Sequence, residues 1–541
     1  MKKALVSFVS LLFPMLIFAQ DSLSDKVNVF FKDYTSWFNH FIFYEIPFSD
    51  NFQIPWVVIV LIGGAIYFTI YFKLINFTEF LTAIRVVKGD YEDIEAMGAE
   101  ELYHGVEKHE QEDIVEELKE ENENLGEVSH FQALATALSA TVGLGNIAGV
   151  GVAISIGGPG ATFWMIVSGL LGMATKFAEC TLGVKYRDID QYGTVYGGPM
   201  YYLSKGLAEK GMSRLGKILA VVFAILVTGG AFGIGNMFQA NQAAAQFVNL
   251  FGWQDSGAVI WIGIVLAILV GLVVVGGVKR IAKVTEKVVP FMAVLYVGSA
   301  LVIIGVNYAH IGDAFGLIFE GAFSGLGIAG GLVGVLIQGI QRGTFSNEAG
   351  LGSAPTAHAA VKTRYPASEG IVALLEPFID TVVVCTMTAL VIIIANFDHN
   401  VVEYGHAITE GVTVTAAAFD AAIPHFSIVL TIAVILFALS TMISWSYYGV
   451  QGWMYLFGRS PRTRMIYNIL FCIGIWVGSV ISLDAVIDFA DAMNFAMAVP
   501  NIIGVVILAS VVRRELKRYK EAIKIKHKAL DRGLEDVNEK L

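Results

Sequence analysis

Apolar residues along this chain gather in long blocks and do not alternate. Beyond the N-terminus, eleven blocks can be marked: 55–75, 131–157, 159–184, 217–248, 257–276, 288–308, 317–345, 367–396, 426–456, 465–482 and 489–512. Runs of about 20 apolar residues match the ~30 Å hydrocarbon core of a bilayer, so each block predicts a transmembrane helix. Several blocks exceed one simple span, which predicts tilt, breaks or in-plane portions. Before them, Lys2 and Lys3 precede an apolar stretch, Ala4 to Phe18, that contains Pro14 and ends at a small residue, Ala19. Residues 1–20 therefore read as a cleavable signal peptide, with an uncleaved anchor helix as the competing reading.

The polar loops between the blocks give an orientation. One set carries Lys185, Arg187, Lys205, Lys210 and Arg214, then Lys279, Arg280 and Lys283, then Lys362 and Arg364, then Arg459, Arg462 and Arg464. The alternating set, 249–256, 309–316, 397–425 and 483–488, contains no Lys or Arg. Basic loops stay cytoplasmic. Eleven spans then place the mature N-terminus in the periplasm and the C-terminus in the cytoplasm, the same side of the N-terminus that a cleaved signal delivers. A bacterial inner-membrane location is the expectation. The boundaries that follow are a periplasmic segment 21–54, a leading helix 55–75, an acidic cytoplasmic loop 76–130, a core 131–512 and a charged cytoplasmic tail 513–541.

Composition supports one helical membrane domain. Of 541 residues, 55% are hydrophobic and 15% charged, against about 25% charged in soluble chains. Fifty-six glycines fit close helix approach in a membrane. The net charge of −11 sits largely in the acidic loop, which reads as a solvated helix or disordered segment. The basic stretch 513–527 reads as a stop near anionic headgroups. Cys180, Cys385 and Cys472 lie inside apolar blocks without CxxC spacing and read as packing residues. There is no nucleotide-binding loop, HExxH, GxSxG or Cys/His cluster, which argues against an ATP-driven pump and against an enzyme.

Without the leading helix, ten blocks divide as five and five, repeat one over 131–308 and repeat two over 317–512. Each half opens with a glycine-interrupted segment: Thr141-Val-Gly143-Leu-Gly145-Asn146-Ile-Ala-Gly149, and Gly339 to Gly350 containing Arg342, Phe345, Ser346, Asn347 and Glu348. Halves of five helices insert with opposite topology, and broken helices at matching positions of inverted halves point to a midplane binding site. A break frees N–H and C=O groups that must find partners in lipid. The N–H groups around Thr141 and Gly143 suit a carboxylate, and the carbonyls suit a cation. The competing reading is close helix packing through glycine.

Further candidates lie in four places. Ser440 and Thr441 offer hydroxyl oxygens to a hard cation, with Trp445 one turn on; they also suit bonds to their own helix. Glu348 needs a partner or water, and Arg342 is the nearest candidate. Glu376 and Asp380, four residues apart around Pro377, share a helix face and suit either a structural network or ion chemistry. Gln239, Asn241 and Gln242 bond another helix or meet substrate. A pore lined by broken helices is the alternative class, distinguished by flux without saturation.

Taken together, Phe131-Gln-Ala-Leu-Ala-Thr-Ala, Gly143-Leu-Gly-Asn-Ile-Ala-Gly149, Gly157-Gly-Pro-Gly-Ala, Gly197-Gly-Pro-Met-Tyr-Tyr, Asn347-Glu-Ala-Gly-Leu-Gly-Ser-Ala-Pro355 and Glu376-Pro-Phe-Ile-Asp380-Thr resemble the alanine or glycine:cation symporters, across about residues 50–512. The resemblance implies an all-α LeuT-type fold, a 5+5 inverted repeat with discontinuous first and sixth core helices plus one leading helix. It also implies uptake of alanine or glycine with sodium as the coupling ion and no organic cofactor. By the same resemblance, Ala140, Gly143, Ser440 and Thr441 hold sodium. The pocket takes Thr141, Gly143, Gly145, Asn146, Gln239, Phe345 and Trp445, and Arg342, Glu348, Glu376 and Asp380 form a gating or ion network. The partners are then a small amino acid and membrane lipid, not nucleic acid, with a monomer as the simplest state. Leu144 and the long acidic insertion depart from the family pattern.

Overall fold

The computed structural model describes residues 36–49, 52–103, 125–253, 257–324, 331–406 and 411–532. The signal segment 1–20 and the acidic run 104–124 lie outside them. A short antiparallel hairpin, β1 (Glu45–Ser49) and β2 (Phe52–Pro55), precedes the first long helix. The sequence reading had no strand there.

Helices follow in the order of the apolar blocks: α1 (Trp56–Tyr71), the short α2 (Glu92–Ala96), α3 (His130–Thr141), α4 (Ala148–Gly157), α5 (Gly160–Lys185), α6 (Ser213–Phe251), α7 (Ala258–Val274) and α8 (Gly277–Val306). Then come α9 (Ile311–Ser324), α10 (Gly331–Asn347), α11 (Pro355–His358), α12 (Pro366–His399), α13 (Gly411–Ala422), α14 (Ser427–Phe457), α15 (Pro461–Val480) and α16 (Leu483–Asp531). Among the described residues, seven helices are long and apolar enough to cross a membrane, or eight with the bent pair α3–α4 as one span. On α7, Trp261, Val265, Ile268 and Leu272 recur at helical spacing and are all exposed. An apolar exposed stripe on a helix is what lipid contact requires.

Local chemistry sets the ends and breaks. Ser129 caps α3 in a reciprocal capping box: its hydroxyl takes the Gln132 N–H, and the Gln132 carboxamide takes the Ser129 N–H, both at 3.2 Å. The α3–α4 pair bends by 55° across Val142 to Ile147, the break that the glycines predict. A wide turn interrupts α6 at Gly233–Met237 and another interrupts α12 at Phe378–Cys385. The second follows Pro377, which has no N–H to donate to a regular ladder.

Three boundaries differ from the sequence reading. The block 317–345 falls in two separate helices, α9 and α10. The expected outer loop 397–425 contains α13. Most strongly, the tail continues α16 for 49 residues in all, to Asp531. It stays helical because one face is buried: Tyr519, Ala522, Lys526 and Ala529 pack inward, where Lys526 meets Asp93 at 3.0 Å and Tyr519 donates to Glu95 of α2 at 2.6 Å. The acidic loop is therefore ordered over 75–103 and pinned by the tail. Near it, Arg187 donates to the carbonyls of Ala359, Val361, Leu125 and Thr363, and burial pushes its guanidinium down to about 10.

Candidate functional site

The site forms where α3 breaks. In a continuous helix the N–H groups of Gly143 and Leu144 would bond the carbonyls of Ser139 and Ala140. Instead Gly143 donates to Asn146 Oδ1 at 2.9 Å and Leu144 donates to Gln239 Oε1 at 3.2 Å. Two carbonyls at the end of α3 thus lose their helical donors. Ser139's carbonyl takes the Thr441 hydroxyl at 3.0 Å, and the Ser139 hydroxyl returns a bond to the Ser440 carbonyl at 2.8 Å. Ala140 lies next in line. Of the four residues expected to hold sodium, Ser440 and Thr441 are thus brought against the end of α3 that carries Ala140 and leads into Gly143. Ser440's own hydroxyl donates to Phe437 O at 3.0 Å, the competing reading for that residue, and also lies 3.4 Å from Met292 Sδ of α8.

Gly143 must be glycine: a Cβ there would stand 2.6 Å from Thr441 Oγ1 and 3.4 Å from Gln239 Oε1. Of the expected pocket residues, Asn146 and Gln239 reach Gly143 directly. The Phe345 ring lies 3.4 Å from where a side chain on Gly145 would begin, and packs edge-on to Phe238. Trp445 is fully buried, and a Cβ on Gly235 would run into it at 2.2 Å. Gln239 ties α6 to the break and also donates to Ile234 O at 3.0 Å, across the wide turn. Thr141 bonds back to Ala137 O at 3.3 Å.

Asn146 is a bracket between the two halves. Besides holding Gly143, its amide donates to Asp380 Oδ1 at 2.7 Å and to the Asp380 carbonyl at 3.1 Å. Asp380 also accepts from Ser346 at 2.8 Å and Thr381 at 2.7 Å. One buried carboxylate on α12 thereby joins the break of α3 to the end of α10.

The second break follows Asn347. Glu348 has φ +57°, Gly350 +89° and Gly352 +82°, and a non-glycine residue in that region holds strain of about 1–3 kcal/mol. The turn directs the Glu348 carboxylate to Ser353 and to Trp445 Nε1, the latter at 3.1 Å. This corrects the Arg342–Glu348 pairing suggested by their nearness in sequence. Arg342 instead meets Asp491 of α16 at 3.2 Å and lies 5.6 Å from the Phe345 ring.

Glu376 does not share partners with Asp380. It meets Lys176 of α5 at 2.9 Å and His358 of α11 at 3.5 Å. His358 Nδ1 is 2.5 Å from Glu369, whose other oxygen meets His130 at the start of α3; the second nitrogen of His130 meets Glu95. With a carboxylate at each ring nitrogen, His130 donates twice and is therefore an imidazolium. Lys176, His358 and His130 balance Glu376, Glu369 and Glu95 in one buried ladder. Sequence reasoning passed over it. Lys176 and Glu179 inside the block 159–184 were the available signal, since charges at membrane depth need partners.

Comparison with known proteins supplies the identity. The profile described as the sodium:alanine symporter family matches residues 106–532. The chain belongs to that family. Its members are transporters, so the chain is a multi-pass membrane transporter and not an enzyme. The chain is 47% identical to the sodium/alanine symporter AgcS of Methanococcus maripaludis over 73% of this chain and 85% of that one. It is 36% identical to the probable sodium/glutamine symporter GlnT of Bacillus subtilis, over 72% and 78%. In structure it is similar to the LeuT-type MhsT, solved in complex with L-phenylalanine, with a TM-score of 0.51 at 17% identity over 71% of this chain and 89% of that one. That likeness speaks for the fold alone.

Proposed function

We propose that this chain couples sodium entry to the uptake of a small neutral amino acid, alanine or glycine, by alternating access across the bacterial inner membrane. The observation that carries this reading is the rerouting of the Gly143 and Leu144 N–H groups, which frees the Ser139 and Ala140 carbonyls of their helical donors where Thr441 bonds the end of α3. Sodium bound there bridges α3 to α14 and orders the break. The amino acid then sits against Thr141, Gly143, Gly145 and Asn146, with Gln239, Phe345 and Trp445 as walls. Its carboxylate takes N–H groups of the break in exchange for the Asn146 and Gln239 side chains. A pocket this closely walled excludes large side chains.

The wider organisation in this reading is eleven spans after a signal peptide, as a 5+5 inverted repeat with α3–α4 and α10–α11 as its broken members. The mature N-terminus is periplasmic and the long helix α16 ends in the cytoplasm. Arg342 and Asp491 close the outer side, and the charge ladder reaching Glu95 closes the inner side. Uptake of labelled alanine, glycine and glutamine into proteoliposomes, with and without an inward sodium gradient, tests the proposal. Concentrative, saturable uptake that collapses without the gradient is expected. Non-saturating flux independent of amino acid would instead mark a channel.

A further inference from the structure

A polar cavity of about 260 Å³ opens beside the ends of α7 and α14 and the starts of α8 and α15. The proposed topology makes this the cytoplasmic side. Gln451 lies ten residues beyond Thr441 on α14, so the cavity is about 15 Å from the ion site along the helix. Its volume falls just below the roughly 300–1,000 Å³ of drug-sized ligand sites, which suits a small ligand.

The lining has two chemical halves. Lys279 and Arg464 supply cationic donors, while Glu127, Gln451 and Asn468 supply acceptors. Gln451 and Asn468 are more than nine-tenths buried, yet Gln451 Oε1 and Asn468 Oδ1 have no hydrogen-bond partner. A buried acceptor left unmade costs about 1–3 kcal/mol, so a ligand with several N–H donors would relieve both. The backbone N–H of Val195 holds one oxygen of Glu127 at 2.7 Å. Burial pushes that carboxyl above its ordinary range, against the pull of Val195, Lys279 and Arg464. An inorganic anion would use the cations and leave the acceptors unmatched. An organic cation would do the reverse.

We infer that this cavity is a second, cytoplasmic binding site for a zwitterionic amino acid, whose carboxylate meets Lys279 and Arg464 and whose ammonium meets Glu127, Gln451 and Asn468. It rests on the symport reading for its orientation and for the choice of ligand. Released substrate occupies it on the way out, and at high cytoplasmic concentration it slows turnover.

The test is equilibrium binding of labelled alanine, in saturating sodium, to the full-length protein in nanodiscs of zwitterionic lipid, alongside uptake by the same preparation in proteoliposomes. Two molecules per chain are expected for the wild type. Gln451→Leu and Asn468→Leu should each bind one while keeping sodium-driven uptake, which shows that they fold. Lys279→Ala, at an exposed position, should weaken only the second binding step, by severalfold. One molecule per wild-type chain with uptake intact, or two retained in both leucine variants, overturns the second site and leaves the symport reading standing. No uptake and no binding of alanine, glycine or glutamine overturns both.

Discussion

The Thr441 hydroxyl donates to the Ser139 carbonyl at 3.0 Å, and the Ser139 hydroxyl answers with a bond to the Ser440 carbonyl at 2.8 Å. This reciprocal pair fixes the last turn of α3, which ends in Ala140 and Thr141, against the middle of α14. Helix end and hydroxyl turn are the two halves of the proposed ion site, and neither is complete alone.

Thr441→Ala removes one hydroxyl of the proposed ion site and one of the two clamps. A neutral hydrogen bond contributes about 1 kcal/mol, which is roughly a fivefold change in an equilibrium constant. The half-saturating sodium concentration for uptake should rise by at least that factor, with little change in substrate selectivity at saturating sodium. Initial-rate uptake against sodium concentration measures it. Wild-type sodium dependence in this variant would remove Thr441 from the ion site.

Gly143→Ala is expected to abolish transport without unfolding the protein. The added methyl would stand 2.6 Å from Thr441 Oγ1 and press on Gln239, so the break and α14 must part. Overpacking of this kind costs typically 1–3 kcal/mol, which a chain of this size tolerates. Normal size-exclusion behaviour with uptake near background is the expected pair of results. Shortening the neighbour in Gly143→Ala/Thr441→Ser should leave the loss in place, because the clash is with the oxygen that serine keeps.

Much of this was legible in the sequence, because membrane spans and breaks are local signals. The apolar blocks predicted the long helices, and the glycines of 141–149 predicted the bend. Partner choice was not local. Arg342 was matched to Glu348 six residues on, whereas the left-handed backbone at Glu348 turns that carboxylate toward Ser353 and Trp445 and leaves Arg342 to Asp491. The ladder draws on Glu95, His130, Lys176, His358, Glu369 and Glu376, spread over about half the length of the chain, so only the fold could assemble it. The tail read as a charged stop because its buried face is sparse. Tyr519 and Lys526 are inward-facing only because α2 supplies Glu95 and nearby Asp93 to meet them.

The Lys176–Glu376 pair is fully buried, and breaking such a pair by removing one partner costs roughly 3–5 kcal/mol. Lys176→Met and Glu376→Gln should each lower the thermal midpoint sharply in detergent. Lys176→Met/Glu376→Gln removes both charges together and should recover much of the loss, since His358 keeps Glu369 at 2.5 Å. Fluorescence-detected thermal scans of the three variants form a double-mutant cycle. Strictly additive losses would show that the pair does not act as a unit.

Arg342 and Asp491 are expected to act on rate more than on stability. Their side chains are 15% and 12% exposed, so water reaches part of the pair and breaking it should cost less than the roughly 3–5 kcal/mol of a fully buried one. Yet the pair bridges α10 to α16 beside Phe345, and in the proposed gating role it parts when the outer side opens and forms when it closes. Arg342→Gln should therefore shift the resting state toward outward opening: substrate binding measured without turnover stays near wild type or tightens, while the maximal uptake rate falls severalfold. Asp491→Asn should do the same. The exchange Arg342→Asp/Asp491→Arg restores the attraction in reverse and should return part of the rate, although it moves the guanidinium away from the Phe345 ring. Equal loss of binding and of rate in the single variants would place Arg342 in the pocket and not at its lid.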